Sequence, residues 1–113
     1  MTRLPVFIAL AALFATACAH AAPSGNLCPT GTKAAVLLQE NPAGGYPFGG
    51  QPKTGAYGET PLQTWTLDPQ ATGYYVECYS EKESAAGTTT KKDVPAGNTS
   101  CTFDTENGTF TCQ

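Results

Sequence analysis

Few residues in this chain could carry out catalysis. Its single histidine is His20, so a serine or cysteine nucleophile in the rest of the chain would have no imidazole base. The carboxylates that could work as an acid–base pair are Glu77, Glu81, Glu83, Asp93, Asp104 and Glu106. Most of them lie in polar stretches typical of solvated turns, whereas Glu77 lies between tyrosines. Glu77 is therefore the one acid–base candidate, and we expect a protein that is not an enzyme.

Cysteine is the other reactive residue type. Four of the five cysteines follow the N-terminal leader, and they are Cys28, Cys78, Cys101 and Cys112. Their spacings contain no Cys-x-x-Cys pair of the kind that holds zinc. An exported chain of this size favours disulfides instead. We expect two disulfides, no metal site and no cofactor.

The first 21 residues have the pattern of a secretory signal peptide. Arg3 supplies a positive charge, residues 4–17 form an uncharged apolar run, and Ala19-His20-Ala21 fits a cleavage site. We expect removal of this segment, which leaves residues 22–113 as a single domain in the periplasm or outside the cell.

Cys18 allows a second way of processing the leader. Ala15-Thr16-Ala17-Cys18 is an imperfect lipoprotein cleavage box, because leucine is usual where Ala15 stands. A cut before Cys18 would lipidate it and tether the protein to the outer membrane. Membrane attachment is expected only in that case.

The charge of the chain bears on its partners. The full sequence has a net charge of −3, and loss of Arg3 with the leader makes the mature chain more negative. Nucleic acids require a basic surface. We therefore expect no nucleic acid partner and predict a protein partner in the envelope or outside the cell.

Alternating residue patterns predict an all-β domain, either a small antiparallel sheet or a sandwich of about five or six strands. The clearest strand is 74–80, whose period places Tyr74, Val76 and Cys78 inward and leaves Tyr75, Glu77 and Tyr79 on the more exposed face. A short apolar run at 33–39 favours a strand over a helix, and 62–67 is predicted to be a strand with Trp65 and Leu67 on one face. Residues 88–94 are predicted to be an edge strand because of their two lysines. Residues 22–26 are predicted to be a mobile lead-in.

The last predicted element is a hairpin between Cys101 and Cys112. A two-residue turn at Asn107-Gly108 would leave these cysteines diagonal to each other. A four-residue loop, 105–108, aligns Cys101 with Cys112 and Phe103 with Phe110, and it is preferred because it satisfies both pairs. Of the three pairings that four cysteines allow, this register favours Cys101–Cys112 and, by elimination, Cys28–Cys78.

A long loop rich in glycine and proline is predicted at 41–61. It carries three aromatic residues, Tyr46, Phe48 and Tyr57. Aromatic side chains on such a loop suit recognition of a protein or a carbohydrate, although they could equally cover a thin core. Together with Tyr75, Glu77 and Tyr79, these three residues form the predicted binding surface.

The order of residues in the second half resembles a family of small exported proteobacterial proteins of uncharacterised function. The matching residues are Trp65-x-Leu67, Tyr75-Val76-Glu77-Cys78-Tyr79, Val94-Pro95, Cys101 and Cys112, with Cys28-Pro29 as the opening pair. Val94 replaces the family's usual leucine, and the Gly/Pro loop is not typical of it. The resemblance implies export and a disulfide-bonded β fold, and it implies no activity.

These observations lead to three hypotheses of function. The first is an exported binding protein that acts through protein–protein contacts, as an inhibitor or immunity factor for an envelope-targeting enzyme. The second is a carbohydrate or cell-wall binding module that uses the same aromatic residues. The third is a small enzyme with Glu77 as its acid–base residue. In a eukaryotic host, a secreted cysteine-rich effector would be the natural interpretation.

Overall fold

Two antiparallel sheets make up the fold. The structure is a computed structural model that describes residues 23–55, 60–83 and 87–113. Its strands are β1 (Ala34–Gln39), β2 (Phe48–Gly49), β3 (Leu62–Thr66), β4 (Tyr74–Tyr79), β5 (Thr89–Asp93), β6 (Ser100–Asp104) and β7 (Thr109–Cys112). One sheet has the order β2-β1-β4-β5 and the other β3-β6-β7. The predicted all-β fold is confirmed, whereas the predicted signal peptide and Cys18 lie outside the described residues.

The core lies between the two sheets. From the first sheet it takes Leu37 and Val76, and from the second Trp65, Phe103 and Phe110. Both phenylalanines are fully buried, and the rings of Trp65 and Phe110 lie 5.5 Å apart. Alternate residues of a strand point to opposite faces, so each sheet needs only every second residue to be apolar. The described part of the chain contains no helix long and apolar enough to span a membrane.

The predicted hairpin register is confirmed. Cys101 pairs directly with Cys112 across β6 and β7, and Phe103 pairs with Phe110. Both predicted disulfides are present, Cys101–Cys112 and Cys28–Cys78. The first bridges two adjacent strands, and the second fastens the segment before β1 to β4.

The lead-in is held in place, so the prediction that it is mobile is wrong for residues 23–26. Ser24 and Leu27 donate backbone N–H bonds to the carbonyls of Cys112 and Phe110, at 2.9 and 2.8 Å. In return, the Ser24 hydroxyl and the Asn26 side-chain oxygen accept the N–H groups of Cys112 and Phe110. The segment thereby covers the outer edge of β7, which would otherwise expose unpaired backbone groups.

The loop between β1 and β3 contains more structure than the composition predicts. Phe48–Gly49 pairs with Leu38 and Gln39 of β1 as a short edge strand, and Thr54 forms a bridge to Thr64 of β3. These contacts add one short strand to the predicted five or six. At the opposite edge of the same sheet, β5 is exposed along its whole length, in agreement with its prediction as an edge strand.

Candidate functional site

The five predicted binding residues that the structure describes do not form one surface. Phe48 pairs with Gln39, which pairs with Tyr74, so these three side chains share one face of the four-stranded sheet. Tyr75 is one residue further along β4 and therefore lies on the opposite face, together with Glu77 and Tyr79. Tyr46 lies in the loop before β2, and Tyr57 lies outside the described residues.

Tyr75 contradicts the expected exposure of its face, because only 7% of its surface is accessible. The side chain of Lys91, from the neighbouring strand β5, lies over the ring with Nζ 4.2 Å from the ring centre. The same ammonium group is 3.3 Å from the carboxylate of Glu40. An aromatic ring under a lysine gains both packing and a cation–π attraction. Tyr75 is therefore covered within the protein.

Glu77 and Tyr79 are half-buried and bonded to each other. The Tyr79 hydroxyl donates a 2.8 Å hydrogen bond to Oε1 of Glu77. Burial first, and then the bond to the Glu77 carboxylate, raises the pKa of Tyr79 to about 12. The neutral hydroxyl is thus kept as a donor to Glu77 over the whole physiological pH range. The direct cross-strand neighbours of Glu77 are Val36 and Lys91.

Tyr46 and Phe48 are the most exposed large aromatic residues in the described part of the chain, at 92% and 55%. Asn41 fixes the turn that leads to them. Its side-chain oxygen accepts the N–H of Ala43, and its carbonyl accepts the N–H of Gly44, at 3.0 and 2.9 Å. Its amide nitrogen donates to the carbonyl of Tyr46 at 3.3 Å. The loop therefore presents two aromatic rings from a hydrogen-bonded frame.

A groove of about 380 Å³ runs beside Phe48 where the two sheets meet. Its aromatic lining consists of Phe48, Trp65 and Tyr74, and its polar lining includes Gln39, Gln51 and Lys53. A volume of this size falls within the range of small-ligand pockets, which are typically apolar with a few polar groups. We call this the Phe48 groove.

Two polar groups near the Phe48 groove differ in their accessibility. The indole N–H of Trp65 has no acceptor among the described residues, but its nitrogen is buried and is therefore not open to a ligand. Gln39 donates its side-chain Nε2 to the carbonyl of Thr72 at 3.1 Å, which leaves its Oε1 as the free polar atom. The groove therefore combines an acceptor, Oε1 of Gln39, with three aromatic side chains.

Sequence reasoning identifies Phe48 but misses the other groove residues as a binding site. The alternating pattern assigns Trp65 to one face of its strand, and it assigns Tyr74 inward for the same reason. Neither assignment reveals that these rings border a groove, because the groove requires β1, β2 and β3 to meet. The pairing of Phe48 with Gln39 is a contact across the loop that no local pattern specifies.

The charged hairpin turn has a structural role. Asp104 accepts hydrogen bonds from the backbone N–H groups of Glu106 and Asn107 and from the side chain of Asn107. These bonds, led by that of the Asn107 side chain, lower the pKa of Asp104. Its carboxylate is thereby used in fixing the four-residue loop.

Comparisons with known proteins give no match to this chain among protein-family models, curated proteins or solved structures. The fold and the Phe48 groove are therefore the basis for inferring its function.

Proposed function

We propose that this is a small exported binding protein that acts through protein–protein contacts. The observation that carries the proposal is the exposure of Tyr46 and Phe48 on a loop held by Asn41. Large aromatic residues supply much of the binding energy in protein interfaces. A loop already fixed in one conformation loses less entropy when it binds. The two disulfides are consistent with an oxidising, exported environment.

The proposed contact surface differs from the one that the sequence predicts. It consists of Tyr46, Phe48 and the rim of the Phe48 groove. The face of Tyr75, Glu77 and Tyr79 is left out because its polar groups already bond to one another and Lys91 covers the Tyr75 ring. An inhibitor or immunity factor for an envelope-targeting enzyme remains the specific form of the proposal.

Capture of a partner from an envelope extract tests this surface. We expect the double variant Tyr46→Ala, Phe48→Ala to lose the captured protein, whereas Leu62→Ala retains it. Leu62 is the matched control because it is also an exposed large apolar residue, at 46%. Full capture by the double variant, with its fold confirmed by circular dichroism, would exclude the proposed surface.

Binding of a cell-wall saccharide is a second candidate function. The specific observation in its favour is the lining of the Phe48 groove, which combines aromatic rings with amide side chains. The apolar faces of sugar rings pack on aromatic side chains, and their hydroxyls bond to amides. Co-sedimentation with insoluble peptidoglycan separates this candidate from a purely protein-binding role. Loss of co-sedimentation in Phe48→Ala is the expected result.

A further inference from the structure

Among the described residues, Lys53 is the charged residue that lines the Phe48 groove. The chain as a whole has a net charge of −3, yet no acidic residue lines this groove in the described part of the chain. The ion pair found among the described residues joins Lys91 to Glu40 and does not involve Lys53. Lys53 is also exposed. A positive group at an otherwise uncharged aromatic groove favours a ligand with an anionic substituent.

The direction of the hydrogen bonds narrows the ligand class. Gln39 offers its Oε1 as an acceptor, and Lys53 offers its ammonium group as a donor. A sugar hydroxyl both donates and accepts, whereas a carboxylate only accepts. A ligand with hydroxyls near Gln39 and a carboxylate near Lys53 therefore satisfies the polar groups of Gln39 and Lys53 together. In a peptide with a free C-terminal carboxylate, only the backbone N–H groups could donate a hydrogen bond to Oε1 of Gln39.

We propose that the Phe48 groove binds a saccharide bearing a carboxylate, with its ring against the exposed side chain of Phe48 and its carboxylate at Lys53. This inference rests on the second candidate function and adds the chemical class of the sugar.

The test uses two oligosaccharides with the same backbone. One is a tetrasaccharide of alternating N-acetylglucosamine and N-acetylmuramic acid without peptides, whose lactyl groups carry carboxylates. The other is tetra-N-acetylchitotetraose, which has no lactyl groups. Trp65 is the only tryptophan of the chain and lines the groove, so its fluorescence reports on occupancy. Isothermal titration calorimetry gives an independent affinity.

We expect the carboxylated tetrasaccharide to bind about fivefold more tightly than the neutral one, as suits an ion pair at an exposed lysine. Lys53→Gln should abolish that preference. Lys33→Gln should retain it, because Lys33 immediately precedes β1, whereas the groove residue Gln39 ends that strand. Both variants remove one positive charge, so a difference between them cannot come from net charge.

Each other outcome contradicts a specific part of the proposal. Equal affinity for the two oligomers, unchanged in Lys53→Gln, would overturn the carboxylate inference and leave the saccharide candidate standing. Absence of binding to both oligomers, by fluorescence and by calorimetry, would overturn both. Binding of acetyl-Gly-Phe with a free C-terminal carboxylate, in place of the saccharides, would assign the groove to peptides and overturn the inference.

Discussion

Removing the two disulfides one at a time should destabilise the domain unequally. Cys28–Cys78 joins residues 50 positions apart, and Cys101–Cys112 joins residues 11 positions apart. In the chain-entropy model, the stabilisation grows with the logarithm of the closed loop length, which gives about 4 kcal/mol for the long loop and about 3 kcal/mol for the short one. We therefore expect the double variant Cys28→Ala, Cys78→Ala to be the less stable by about 1 kcal/mol.

Burial makes the two double variants comparable. All four cysteines are buried, with accessible fractions of 5% or less, so truncation to alanine removes a similar amount of packed surface in each pair. The local setting strengthens the expected order. Cys101 and Cys112 face each other on strands that are also paired along the rest of their length, whereas Cys28 belongs to a segment outside both sheets.

Urea unfolding followed by Trp65 fluorescence and by far-ultraviolet circular dichroism measures both free energies. Coincident transitions from the two probes are required for a two-state treatment. Equal stability, or a less stable Cys101→Ala, Cys112→Ala variant, would refute the loop-length reasoning. If the Cys28→Ala, Cys78→Ala protein is unfolded while the Cys101→Ala, Cys112→Ala protein is folded, the result would agree with the loop-length reasoning.

Four further predictions concern single residues. Gly108→Ala should lower the free energy of unfolding by about 2–3 kcal/mol, because φ is +70° and a Cβ there would lie 2.5 Å from the Thr32 carbonyl oxygen. Gly44→Ala, with φ +87° and no atom within 4 Å, should cost about 1 kcal/mol in the same urea experiment. Hydrogen bonds lower the pKa of Asp104 in the folded state. The ionised carboxylate therefore stabilises the folded protein above pH about 4, and this stabilisation is lost as the pH falls through the folded-state pKa. Thermal unfolding between pH 2 and 6 should show a weaker pH dependence for Asp104→Asn, and an unchanged slope would contradict this role. Spectrophotometric titration should show Tyr79 ionising near pH 12, and Tyr79→Phe should remove that late step; an unaltered curve would contradict the assignment.

Local pairing explains why the hairpin could be predicted from sequence. A four-residue loop at 105–108, unlike a two-residue turn, aligns both Cys101 with Cys112 and Phe103 with Phe110, and the structure has this register. Two independent requirements, a disulfide and an aromatic pair, fall within a dozen residues. The alternating pattern likewise places Val76 and Cys78 in the core, because a strand's period is a property of the strand itself.

The errors arise where a residue depends on a distant part of the chain. Alternation correctly places Tyr75 on the face opposite Val76, yet whether that face is covered depends on Lys91 of another strand. The lead-in has no strand pattern, but the side chains of Ser24 and Asn26 supply the acceptors that the edge of β7 needs. Composition indicates how mobile a segment would be by itself, whereas these hydrogen bonds hold the lead-in against β7.

Both edges of the three-stranded sheet are contacted by other segments of the chain, which affects how the protein contacts other molecules. The three-stranded sheet has its β7 edge covered by the lead-in and its β3 edge bridged by Thr54. An exposed edge invites unselective pairing with other chains, so both contacts limit aggregation. Against this background, the exposure of Tyr46 and Phe48 is unusual, because the domain has few large apolar side chains for its core. Two of them lie in water on a hydrogen-bonded loop, where they add nothing to the core. The proposed contact with a protein partner would bury them.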